Sequence, residues 1–156
     1  MKNVISIDRL AAFAKNLKDK GKKIVLAGGC FDILHPGHVI FLEKAKKAGD
    51  ILIVLLESDQ KVKELKGINR PIHTQKERAM VLSALWFIDY IVLLPYMKGD
   101  AEYDELIVKV KPNVIAAATK DTNVGHYQRV AKLTGARLKF VTKMIGSYSS
   151  SKILSA

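Results

Sequence analysis

Apolar positions along the chain switch between a helical period and short unbroken runs, and the alternation sets out a ladder of elements. Residues 7–20 place Leu10, Phe13, Ala14 and Leu17 on one helical face, with Ser6 or Asp8 as the cap. Residues 23–27 read as a short strand. Residues 37–48 read as a helix that turns Ile40, Phe41, Leu42 and Ala45 inward and stops at Gly49. Residues 51–56 are apolar without a break, as in a strand covered on both faces. A short helix over 59–65 precedes a loop over 66–73 that contains Gly67 and Pro71. Thr74-Gln75-Lys76-Glu77 forms a capping box for a helix running to about Phe87, which places Trp86, with Leu82 and Leu85, in the core. Strands over 90–94, 114–118 and 137–141 then alternate with helices over 100–110 and 124–133, and a short terminal helix covers 149–155.

Strands separated by helices predict the α/β class: a single Rossmann-like, doubly wound, five-stranded parallel sheet flanked by helices. The 156 residues suit one domain, with residues 1–21 as an N-terminal helical extension packed on it.

Composition narrows the function classes. The longest apolar stretches are too short to span a bilayer, and the opening Met1-Lys2-Asn3-Val4 lacks the apolar core of a secretory leader. A single cysteine, Cys30, excludes an internal disulfide and fits a reducing cytoplasm. The net charge of +11 points to anionic partners. Its lysines are dispersed, and no aromatics interleave with them as on a single-strand binder. A phosphorylated small substrate is therefore expected, with neither nucleic acid nor membrane as partner.

The candidate chemistry sits where the first strand hands over to a helix. Gly28-Gly29-Cys30-Phe31-Asp32-Ile33-Leu34-His35-Pro36-Gly37-His38 sets two imidazoles around a Pro-Gly pair. Free N–H groups and the positive helix end at such a junction bind phosphate. Imidazole N–H groups can donate to oxygens whose charge grows as phosphorus is attacked. Gly37 lets the backbone approach a ligand, and Pro36 lacks only an N–H that is spare at a helix start. Two histidines fall short of a zinc set, and no protein metal site is expected. Asp32 either orders the loop through backbone N–H groups or reaches Mg²⁺ through water. Cys30 is expected as a packed, inert thiol and Phe31 as a packing residue.

Gly29-Cys30-Phe31-Asp32-Ile33-Leu34-His35-Pro36-Gly37-His38 resembles the signature of the cytidylyltransferase-like nucleotidyltransferases without a departure. Tyr148-Ser149-Ser150-Ser151-Lys152-Ile153 is similar to the family's Ser/Thr-rich turn opening the last helix, and Arg78 to its arginine after the middle loop. The resemblance covers residues 22–153. It implies transfer of a nucleoside monophosphate from an NTP, with Mg²⁺, to a phosphorylated acceptor, releasing pyrophosphate. It assigns His35, His38, Lys44 and Arg78 to catalysis. Gly29, Cys30, Phe31, Asp32, Gly37, Ser149, Ser150 and Ser151 fall to the nucleotide, and Lys46, Lys120 and Asp121 to the acceptor. The alternative for Arg78 is a surface ion pair with Glu77 or Asp104, and for Lys44 and Lys46 a solvated helix face. A homodimer is also implied.

Within the family, the N-terminal helix, Leu65-Lys66-Gly67 and Arg70-Pro71-Ile72 look like the adenylyltransferase domain of ADP-heptose synthases. The Ser149-to-Ile153 pattern is shared with glycerol-3-phosphate cytidylyltransferases. ATP with a sugar phosphate is the first expectation, and CTP with glycerol 3-phosphate the second. Residues 116–123 lack the glycine-aspartate turn usual in both groups. That departure motivates a third reading, a non-catalytic nucleotide-binding module.

Overall fold

The computed structural model describes residues 1, 3–119, 121–143 and 153–154. It shows a parallel sheet of six strands in the order β1-β4-β3-β2-β5-β6. The strands are β1 (Val4–Ile5), β2 (Ile24–Gly29), β3 (Ile51–Leu56), β4 (Tyr90–Leu93), β5 (Val114–Ala118) and β6 (Arg137–Thr142). The helices are α1 (Ile7–Asp19), α2 (Pro36–Lys46), α3 (Asp59–Lys66), α4 (Gln75–Ser83), α5 (Asp100–Val110) and α6 (Val124–Thr134).

The expected five strands gain a sixth. Val4 and Ile5 pair with Ile91 and Val92, so the N-terminal segment adds an edge strand as well as a helix. Two residues are too few to show a period, which is why the pattern passed over them. Of the terminal helix expected over 149–155, only Ile153 and Leu154 are described, and both are helical.

Side-chain alternation divides the core. Ile24 and Leu26 of β2 pack with Leu10 and Leu17 of α1, Ile107 of α5 and Val130 of α6. Val25 and Ala27 face Leu42 and Ala45 of α2 and Ala79 and Leu82 of α4. Helices thus cover both faces, and β3 is apolar throughout because neither face meets water.

Two corrections concern the carboxyl end of α4. The capping box at its start stands as read, with the Thr74 side chain accepting from Glu77 N and Glu77 accepting from Thr74 N. The helix nevertheless ends at Ser83, before Phe87. Tight turns succeed it, with Leu85 N donating to Leu82 O and Ile88 N to Leu85 O. Trp86 leaves the helical register there and is 83% exposed rather than in the core.

The amino end of the sheet is tied by side chains. Asp50 Oδ2 accepts from Lys23 N at 2.7 Å, Asn113 Oδ1 from Ile24 N at 2.8 Å, and Asp89 Oδ2 from Leu52 N at 2.7 Å. Gly49 fits tightly against this edge. A Cβ there would lie 2.7 Å from Val25 Cγ2 and 2.8 Å from the Lys23 carbonyl oxygen. Gly49→Ala is therefore expected to destabilise the fold by about 1–3 kcal/mol, the usual cost of overpacking. A lower urea midpoint with an unchanged slope is the expected measurement.

From β2 the chain steps to β3 and β4 on one side, then crosses to β5 on the other. The carboxyl ends of β2 and β5 therefore flank the point where the winding reverses, the usual ligand crevice of such sheets.

Candidate active site

Gly28 and Gly29 end β2 at this reversal. A Cβ on Gly29 would stand 2.8 Å from the Phe31 ring, so the missing side chain is what lets that ring fold back. Phe31 itself takes φ 43°, the left-handed region that costs a side-chain-bearing residue about 1–2 kcal/mol. Its ring is buried and meets His38 edge-on at 5.1 Å between centroids. His35 is the N-cap of α2, Pro36 its first residue, and the His38 amide donates to the His35 carbonyl at 2.9 Å. The three-residue spacing brings both imidazoles to one side, where they stack at 3.7 Å with planes 20° apart.

Both rings are held neutral. Burial first, then the neighbouring His35 and Lys66, lowers the His38 pKa to about 3. Burial and Lys66 lower that of His35 as well. His38 Nδ1 is buried without a hydrogen-bond partner among the described residues, which suits a functional site better than a finished core. A neutral ring can donate one N–H to an anion, and an arriving anion makes protonation easier.

The low His38 value gives stability a pH dependence of definite sign. Unfolded, the His38 ring takes up a proton near its ordinary value of 6.5; folded, it does so only near 3. Between those values the unfolded chain binds more protons, so this ring's contribution to stability falls as pH falls. His38→Gln is expected to flatten the slope of stability against pH in that window, as measured by urea titration at a series of pH values.

Two buried arginines hold the loop beneath the histidines. Asp32 accepts from the Arg70 guanidinium, from Ile72 N at 2.8 Å and from His73 N at 3.3 Å. Burial alone would raise the Asp32 pKa, but these donors outweigh it and hold the carboxyl below its ordinary value. Arg78 is 1% exposed. It donates to the carbonyls of Cys30, His73 (3.0 Å) and Glu57 (2.8 Å), and to Asp59 Oδ1 (2.7 Å). The expected phosphate fork is thus turned inward, and neither Glu77 nor Asp104 is its partner. Arg78 positions the site by fixing the backbone just beyond β2, at Cys30, and just beyond β3, at Glu57.

The other expected residues scatter. Gly37 lies in the first turn of α2 beside the imidazoles, and Lys44 is exposed further along that helix. Lys46 is drawn to the opposite end of the sheet, where it donates to Asp89 Oδ2 at 2.6 Å and to the Asp50 carbonyl. The structure therefore separates Lys46 from the histidines. Asp121 closes a turn ahead of α6 by accepting from Asn123 N at 2.8 Å, and it accepts from the Tyr127 hydroxyl at 3.4 Å. Lys120, Ser149, Ser150 and Ser151 lie outside the described residues. Cys30 is half-buried, and burial pushes its thiol pKa up, as for an unreactive thiol. Among the described residues no group of three or more His, Cys, Asp or Glu side chains could hold a metal ion. No described helix is long and apolar enough to cross a membrane.

Gly28, Gly29 and Cys30 also line a cavity of about 290 Å³ on the α5–α6 face of the sheet. Its floor is apolar (Leu26, Leu55, Ile115), and its walls carry Glu57, Tyr103 and Tyr127. Sequence reasoning missed these three. The available signal was position: Glu57 directly succeeds β3 at the carboxyl edge, where parallel sheets gather ligand contacts.

A family model described as cytidylyltransferase-like matches residues 26–153. The bifunctional protein HldE of Wolinella succinogenes is 47% identical over 112 residues, which are 72% of this chain and 23% of that protein. HldE of Desulfatibacillum aliphaticivorans is 34% identical over 138 residues, 86% of this chain and 27% of that one. The chain thus spans about a quarter of the length of these curated relatives. Among solved structures, the lipopolysaccharide core biosynthesis protein from Thermoplasma volcanium GSS1 superposes with TM-score 0.63 at 30% identity, over 79% of this chain and 97% of that one. Pantoate-beta-alanine ligase from Francisella tularensis, at TM-score 0.62 and 16% identity over 90% of this chain and 66% of that one, shares the fold.

Proposed function

The chain belongs to the cytidylyltransferase-like family, and from that premise we propose that it transfers AMP from ATP to a sugar phosphate, releasing pyrophosphate. One observation carries the reading: two neutral, stacked imidazoles at the start of α2, where the sheet's winding reverses. An oxygen of the acceptor phosphate attacks the α-phosphorus, forming the new P–O bond. The bond from that phosphorus to the β-bridging oxygen breaks, and its electron pair leaves with pyrophosphate. Negative charge spreads over the non-bridging oxygens in between. In this reading His35, His38 and the positive end of α2 stabilise that charge as donors. Mg²⁺ enters as part of the nucleotide substrate.

The choice of AMP and a sugar phosphate rests on the likeness to ADP-heptose synthases and on the HldE relatives. Cytoplasmic location and a homodimer belong to the same reading. The exposed apolar side chains Met80, Val81 and Trp86 are available to such a contact, and the mass in solution checks it.

The deciding experiment is pyrophosphate release from ATP or CTP with Mg²⁺ and a panel of sugar 1-phosphates and glycerol 3-phosphate. Release with ATP and a sugar phosphate is expected. Release only with CTP and glycerol 3-phosphate moves the assignment to the cytidylyl branch. Nucleotide-dependent thermal stabilisation with no release from any pair makes the protein a nucleotide-binding module instead.

A further inference from the structure

The cavity bordered by Gly28, Gly29 and Cys30 holds a carboxylate that the transfer chemistry does not use. Glu57 is the first residue beyond β3. Its amide donates to the Gly29 carbonyl at 3.1 Å, and its own carbonyl accepts from Arg78 at 2.8 Å. The backbone is therefore fixed at both polar groups. Strand alternation then sends the side chain to the face that Leu55 shares, into the cavity wall. There Tyr103, in α5, donates its hydroxyl to Glu57 Oε2 at 2.9 Å. No side chain or amide among the described residues donates to Oε1. Burial raises the Glu57 pKa, against which the Tyr103 hydrogen bond, Lys61 and Arg78 favour the carboxylate; in that form it can accept about four hydrogen bonds, so most of its capacity is unspent.

The surroundings restrict what can meet it. The apolar floor of Leu26, Leu55 and Ile115 suits a carbon skeleton. The carboxylate repels a phosphate, which Lys61 and Lys98 on the same lining attract. An acceptor is therefore oriented with its phosphate away from Glu57 and its hydroxyl-bearing carbons toward it. A buried acceptor atom left unmet when the wrong molecule binds is a strong source of discrimination.

We propose that Glu57 determines acceptor specificity by accepting a hydrogen bond from a hydroxyl of a polyhydroxylated acceptor, with Tyr103 as the residue that positions it. The inference rests on the transfer reading and assigns its acceptor side.

The test compares wild type, Glu57→Leu, Glu57→Gln and Tyr103→Phe in the full chain, with ATP and hexose or heptose 1-phosphates. Glu57→Leu is expected to raise the acceptor KM by roughly 10- to 100-fold, the loss of one hydrogen bond to a charged group, while the KM for ATP stays within about twofold. Glu57→Gln keeps an acceptor oxygen and is expected to recover most of the loss. Tyr103→Phe is expected to raise acceptor KM a few fold with kcat little changed. An unchanged acceptor KM in Glu57→Leu overturns the proposal, as does an equal rise in both KM values. Glu57→Gln failing as badly as Glu57→Leu replaces the hydroxyl by a cationic donor and also overturns it.

Thermal unfolding with the sugar phosphates alone separates this inference from the transfer reading. Should wild type release no pyrophosphate with any pair, the transfer reading falls. A rise in Tm seen in wild type and lost in Glu57→Leu would still sustain Glu57. No rise in wild type, or the same rise in both, overturns it.

Discussion

Replacing His38 by alanine is expected to lower kcat by roughly 10²- to 10³-fold, the range found when one preorganised donor to a developing oxyanion is removed. The ring is held neutral, stacked on His35, braced by Phe31 and hydrogen-bonded to the Ile33 backbone, so its orientation is fixed before the nucleotide arrives. A donor that strengthens only as charge develops acts on the transition state, so kcat and kcat/KM should fall together with KM for ATP nearly unchanged. Far-ultraviolet circular dichroism and urea unfolding establish that the fold survives. A kcat within about threefold of wild type, in folded protein, removes His38 from the mechanism. A large rise in KM at constant kcat makes it a binding residue instead.

The second large effect falls on stability. Arg78→Met keeps much of the volume but removes donors to three carbonyls and to Asp59. Breaking a buried, hydrogen-bonded charge is expected to cost about 3–5 kcal/mol. Surface ion pairs such as Lys15–Asp19 typically contribute about 0–1 kcal/mol, and their removal is the control. Urea midpoints measure both. Because Cys30 and Glu57 are held by this one guanidinium, any folded Arg78→Met protein should also turn over slowly. A loss below about 1 kcal/mol would mean that these carbonyls find other partners.

Local chemistry was legible and long-range pairing was not. The histidine loop lies in one stretch, so its strand, turn and helix start could all be read from adjacent residues. The Thr74–Glu77 cap was readable for the same reason. Arg78 was singled out, but its partners come from positions 48 and 21 residues away, and nothing in its neighbourhood signals them. Trp86 misled because the helical period was carried past Ser83, where the helix ends. Lys46 could have been set aside on geometry: α2 rises about 1.5 Å per residue, so its last turn is roughly 12 Å beyond His38. Glu57 required the packed fold, since only the placement of α5 brings Tyr103 against it.

The side-chain staples at the amino edge have a practical consequence. Asp50, Asn113 and Asp89 secure that rim a full strand length, roughly 20 Å, from the imidazoles. Thermostabilising redesign can concentrate there, because substitutions at that distance add nearly independently of those near the histidines. Durability and turnover can thus be engineered as separate traits in the same small scaffold.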